Sequence, residues 1–266
     1  MQRVAFSLIL FLFISLDALA EVPQEVPAAL EKVKNKINGD LILINNRLSG
    51  ISKEFSAAGI NTYEARKILR EFIRFEGRAV DCATVDSSGK IALIEPIIYR
   101  RFENINISKQ GHVVELLKNK KPVFSQLFRC AEGPNAISFA YPVLSPKGDF
   151  IGLVSLLIRP DSLIEPAIIS AIKRSWIEIW IIQPDGVMVY NQDTEEIGKN
   201  VFKDDLYKPF PGFVSLCEKI AQEKKGDGSY EFLALGLKKK VIKDAVWDTV
   251  SINGLEWRIV AALEKQ

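Results

Sequence analysis

Two adjacent arginines, Arg100 and Arg101, follow Tyr99 in an irregular polar stretch, residues 96–110. Guanidinium groups grip carboxylates and phosphates through paired, parallel N–H donors. This triplet is therefore a candidate anion clamp with an aromatic wall; the alternative is a solvated loop face. Little else in the sequence offers reaction chemistry. His112 is the single histidine, so a catalytic triad or a multi-histidine metal centre would rest on that residue alone. At the start of a short helix it reads as a capping residue. No G-x-S-x-G nucleophile turn occurs. Cys82, Cys130 and Cys217 are too few for a four-cysteine zinc site. They allow one bridge, with Cys82 and Cys130 the better-placed pair, or they are three small buried hydrophobes. Asp204-Asp205 reads as solvated, Asp185-Gly186 and Asp227-Gly228 as turns, and Lys238-Lys239-Lys240 as an exposed hairpin rim. No catalytic residue, metal or cofactor is expected, and the chain does not read as an enzyme.

The composition supports that restraint. The 266 residues are 48% hydrophobic and 26% charged, which is a globular and not a disordered balance. Lys and Arg number 35 against 33 for Asp and Glu, a net charge of +2. That near-balance argues against a nucleic-acid partner. A cationic Met1-Gln2-Arg3, an apolar run over 4–16 and the small-residue ending Ala18-Leu19-Ala20 have the form of a cleavable secretory signal. The run is short of the roughly 20 apolar residues that a membrane span needs. Residues 1–20 are thus expected to be a signal peptide cut after Ala20, with the mature protein periplasmic or secreted.

Residues 21–77 form an N-terminal helical region. Leu30, Val33, Ile37, Leu41, Ile44, Leu48, Ile51 and Phe55 recur at steps of three and four, one stripe of a long helix. Such a helix either forms a seam with a partner helix or lies along a sheet. A second helix opens at Asn61-Thr62-Tyr63-Glu64 and ends before Gly77. Strands are expected over 79–85 and 90–94, a short helix over 112–118, and strands over 122–129, 136–144 and 150–158. A connector helix spans 161–175. The order then recurs: strands over 176–182 and 187–191, a loop, a helix over 213–223, and strands over 230–235, 240–250 and 256–263. Trp247 and Trp257 read as core of this second unit. The repeated order of elements is the strongest structural signal in the sequence.

This order resembles the double Cache family, the extracellular sensor domains of many chemoreceptors and histidine kinases. The resemblance is carried by Lys121-Pro122-Val123-Phe124-Ser125 with ISFAYPV over 137–143, by IIQPDGVMVY over 181–190, and by Gly228-Ser229-Tyr230-Glu231-Phe232 with GLEWRIV over 254–260. It implies an α+β fold: a long N-terminal helix plus two PAS-like modules, each an antiparallel sheet of about five strands with flanking helices. The membrane-distal module is residues 78–160 and the membrane-proximal one 176–266. It also implies a small ligand in the distal module, roofed by the 96–109 loop and floored by the later strands. The expected ligand-binding residues are Tyr99, Arg100, Arg101, Gln126, Phe128, Ser138, Tyr141 and Ser155. Family members that bind amino acids carry a Tyr and an Asp in those strands. Here those positions look like Phe128 and Leu157, which weakens the case for an α-amino-acid ligand.

The expected function is that of an exported small-molecule sensing or binding protein. Its ligand would be an organic acid or another small metabolite. The chain ends just after the last strand, so the signal is expected to pass to a separate membrane-bound receptor or kinase. A homodimer through the long helix is a further expectation. The alternative is a non-catalytic interaction module of an envelope complex.

Overall fold

The computed structural model describes residues 23–130, 133–172, 176–234, 236 and 239–265. The expected signal peptide and Lys238 lie outside the described residues. Helix α1 (Glu25–Ala58) buries the whole predicted stripe from Leu30 to Phe55. It lies along sheets of its own chain, so the stripe expected to serve a homodimer is already covered. Helix α2 (Tyr63–Glu76) is capped as its sequence suggests. The Thr62 hydroxyl accepts from the Ala65 amide, and Gly77 closes the helix in the left-handed region.

Both sheets are antiparallel. The first joins β1 (Ala79–Asp86), β2 (Ile91–Glu95), β3 (Val123–Phe124), β5 (Asn135–Leu144) and β6 (Phe150–Ile158) in the order β2-β1-β6-β5-β3, with β4 (Phe128–Arg129) paired to β5. The second joins β7 (Glu178–Ile182), β8 (Met188–Tyr190), β9 (Gly226–Leu233), β10 (Lys240–Ile252) and β11 (Leu255–Glu264) in the order β8-β7-β11-β10-β9. The two orders are the same permutation of first, second and later strands, so the repeat inferred from the sequence is a repeat of topology. Helix α3 (Gly111–Asn119) packs on the first sheet and α5 (Pro211–Gln222) on the second, with α4 (Pro160–Ala171) between the two units.

Two expectations need correction. The single strand over 122–129 is two short pieces. After Phe124 the backbone leaves the ladder, and the Leu127 amide donates to Gln183 Oε1 of the second unit at 2.5 Å. Strand β9 begins at Gly226, earlier than expected. Glycines are poor strand formers in general, but Gly226 and Gly228 let Trp247 and Leu216 lie against the backbone where a Cβ would collide.

Strand alternation gives each sheet two apolar faces. One face of both sheets packs on α1 in a single cluster that includes Ile37, Leu41, Phe139, Leu156, Trp257 and Ile259. The opposite faces carry separate clusters, around Val85, Val113 and Leu153 in the first unit and around Trp180, Phe213 and Trp247 in the second. All three cysteines are buried free thiols. No described helix is long and apolar enough to cross a membrane.

Candidate functional site

The expected pocket region lies on the face of the first sheet away from α1. In-register pairing places Asp81 across from Leu157, and Ala83 across from Ser155. Strand β5 sets Ser138 across from Leu157 on the other side. These side chains floor a cavity of about 40 Å³. Phe102, Ile105 and Ile107 of the loop after β2, Gln110 and His112 at the head of α3, and Phe128 cover it.

The polar groups in this cavity are few and buried. Asp81 is 4% exposed, Ser138 1% and Ser155 8%. The two serine hydroxyls hydrogen-bond each other at 2.8 Å. His112 is buried against Phe128, with ring centroids 5.2 Å apart. Burial pushes its pKa down from 6.5 to about 4, so the imidazole is neutral near pH 7. The cavity therefore offers one buried carboxylate, paired hydroxyls, a neutral imidazole and apolar walls. Among the described residues no cluster has the make-up of a metal site.

Of the eight residues expected from the sequence, Phe128, Ser138 and Ser155 meet in this cavity. The arginine pair stands outside it. Arg100 hydrogen-bonds Glu95, which also accepts from Arg66 at 3.1 Å and Arg70 at 3.2 Å. Burial pushes the Glu95 carboxyl up, yet the bonds from Arg100, Arg66 and Arg70 outweigh it and hold its pKa below the usual value. Arg101 is exposed, its guanidinium 5.0 Å from the Phe102 ring centroid. Tyr99 packs half-buried in the cluster beneath the loop. Gln126 donates to the Gly254 carbonyl at 3.2 Å and lines an open groove of about 460 Å³ outside the cavity. Tyr141 is one residue out of phase with Ser138 and Ala140 and so faces α1, where its hydroxyl donates to Asn45 at 2.9 Å.

Among the cavity residues not expected from the sequence are Asp81 and His112. The signal for Asp81 was present: a charged residue inside the alternating run of residues 79–85, in phase with Ala83 and Val85. The signal for His112 was weaker, because a histidine at a helix start has an ordinary capping role.

Residues 39–160 match a family model described as the HK/GC/Chemotaxis protein-like sensor domain. No curated protein matches the chain. Among solved structures, an extracellular ligand binding receptor from Desulfohalobium retbaense is 26% identical, with a TM-score of 0.77 over 91% of this chain. The match covers 41% of that longer chain. The ligand binding domain of the Pseudomonas aeruginosa amino acid chemoreceptor PctB, solved with L-Arg, is 15% identical, with a TM-score of 0.60. That match covers 91% of this chain and 92% of the other. The periplasmic sensory domain of the Campylobacter jejuni chemoreceptor Tlp1 is 12% identical, with a TM-score of 0.59, covering 90% and 92%. The family that matches residues 39–160 and the structural neighbours of the whole chain are extracellular ligand-binding sensor domains of the Cache type, and this chain has their fold.

Proposed function

We propose that the protein is an exported small-solute sensor, cleaved after Ala20, which hands its signal to a separate membrane-bound receptor or kinase. We infer further that its distal cavity takes a small ligand bearing an ammonium group. The observation that carries the ligand class is the Asp81 carboxylate, buried on the cavity floor beside the Ser138–Ser155 hydroxyl pair. A carboxylate on the cavity floor gives a ligand ammonium an opposite charge and charge-assisted hydrogen-bond acceptors. The arginine pair gave the only reason to favour an organic acid, and it does not reach the cavity. The cavity is small, so a ligand of more than a few atoms requires the 96–110 loop to move outward.

A thermal-shift screen with small amines, amino acids and organic acids tests this reading. A ligand at a hundred times its Kd stabilises by about 2.7 kcal/mol, which for a chain of this size raises Tm by roughly 2–4 °C per kcal/mol. An amine or amino acid is expected to raise Tm. The shift should vanish in Asp81→Asn and persist in Arg101→Ala. A shift from organic acids alone, lost in Arg101→Ala, would overturn it.

The small volume also favours a second reading, an interaction module that reuses the fold without a ligand. No shift by any compound, together with recovery of an envelope protein by crosslinking, would support it.

A further inference from the structure

The second unit carries a larger cavity on the corresponding face of its sheet, about 290 Å³, below α5 and the loop after β8. Trp180 on β7, Tyr230 and Phe232 on β9, Phe213 on α5, Lys243 on β10 and Glu196 in the loop all line it. Its aromatic rings form a continuous wall. Phe213 lies 4.6 Å from Phe232, 5.1 Å from Tyr230 and 5.5 Å from Trp180, centroid to centroid.

Two charged side chains are buried in this wall, Lys243 at 2% and Glu196 at 4% exposure. They are not equivalent. Lys243 has its counter-ion, Glu178, at 2.6 Å, so an incoming anion would have to break that pair. Glu196 is hydrogen-bonded to a neutral group, the Tyr207 hydroxyl, at 3.0 Å. The buried Trp180 indole N–H is directed toward the Tyr230 hydroxyl without reaching hydrogen-bond geometry. The wall thus presents aromatic rings, a carboxylate and a donor lacking a well-formed partner. Ring faces attract cations through their quadrupole, more strongly when the site is desolvated. An anion would meet Glu196 and Asp193 on the same rim.

We propose that this cavity is a second binding site and that its ligand is a small organic cation, a substituted or quaternary ammonium compound, held on the faces of Trp180, Phe213, Tyr230 and Phe232 with Glu196 as its counter-charge. The ionisation of Glu196 fits that role. Burial raises its pKa to about 7 despite the hydrogen bond from Tyr207; Asp193 adds to the rise, and Lys243 and Lys199 oppose it. Cys217 and Tyr230 also face it, and burial raises both of their pKa values, so they stay neutral around pH 7. A bound cation favours ionised Glu196, so binding should strengthen as pH rises through about 7. The proposal is independent of the distal one, since the two cavities share no lining residue.

Titration calorimetry of the purified protein with choline and with tetramethylammonium tests it, using 3,3-dimethylbutan-1-ol as the uncharged isostere of choline. Both cations are expected to bind saturably at pH 8, with the neutral isostere at least tenfold weaker. Choline affinity should fall at least threefold at pH 6. Glu196→Gln should weaken choline at least tenfold and flatten the pH profile. Phe232→Leu, at a half-buried position, should weaken it without loss of fold, and Asp81→Asn should leave it unchanged. Absence of saturable binding by either cation at pH 8 would overturn the proposal. So would equal binding of the isostere, or binding lost in Asp81→Asn but kept in Glu196→Gln.

Discussion

Asp81 on β1 stands directly across from Leu157 on β6. The family resemblance expects a carboxylate on the later strand. Here it enters the same cavity from the neighbouring strand, about 4.8 Å away. Asp81→Asn keeps the shape of the side chain and removes its charge. The far-UV circular dichroism of the ligand-free variant should match the parent, while its response to primary amines disappears. A variant that is destabilised yet still responds to amines would place Asp81 in a purely structural role.

The Ser138 and Ser155 hydroxyls, 2.8 Å apart, satisfy each other in a buried setting. Replacing either serine with alanine strands the other hydroxyl, at a cost of about 1–2 kcal/mol. Replacing both removes the need for a partner. The double variant should therefore lose less stability than the two single variants added together. Urea unfolding of the four proteins measures this coupling, and strict additivity would show that the hydroxyls act independently.

Asn45 Oδ1 accepts from Tyr141 Oη of the first unit at 2.9 Å and from Asn253 Nδ2 of the second at 2.7 Å. Asn45→Ala leaves two half-buried donors without this acceptor. A loss of about 1–3 kcal/mol follows, read as a fall in Tm of roughly 2–4 °C per kcal/mol. Asn45→Asp should restore much of it, because a carboxylate oxygen accepts both bonds.

Two buried groups give opposite pH dependences. His112 titrates at about 4 in the fold against 6.5 in the open chain. The unfolded chain therefore binds the extra proton first, and stability from this group is lost as pH falls from about 6.5 toward 4. Glu196 titrates at about 7 against 4.5, so its contribution is lost as pH rises from about 4.5 through 7. Each effect reaches about 3 kcal/mol at most, and between pH 4.5 and 6.5 they oppose each other. Glu196→Gln should accordingly gain more stability over the parent at pH 8 than at pH 5. His112→Asn should show the reverse trend, its deficit shrinking toward pH 4.5. Thermal melts from pH 4.5 to 8 would reveal either failure as parallel curves.

The fold was legible where one physical signal dominates. The Leu30–Phe55 stripe fixes a long amphipathic helix, and the recurrence of strand, turn and strand fixes two like units. What the stripe could not reveal is what covers it, because a helix seam and a sheet face present the same periodicity. The two-part strand over 122–129 was hidden because at its break the Leu127 amide bonds Gln183, far along the chain. The site was less legible than the fold. Arg100 looked like a ligand clamp in one dimension, but Glu95 claims it in three. Asp81 looked like part of a strand, and only the pairing of β1 with β6 and β5 brings it beside Ser138 and Ser155. The cavity of the second unit is hidden in the sequence because Trp180, Phe213, Tyr230 and Lys243 come from four elements, each with an ordinary core pattern of its own.

Along the sequence the protein divides cleanly into two repeats, but helix α1 gives a single apolar stripe to both sheets. Neither repeat owns the core on its α1 face. A chimera that exchanges one repeat with a relative inherits a sheet face shaped for someone else's helix. The portable piece is therefore a repeat together with the stretch of α1 that lies on it, and recombination between such proteins is constrained to crossover points inside that helix.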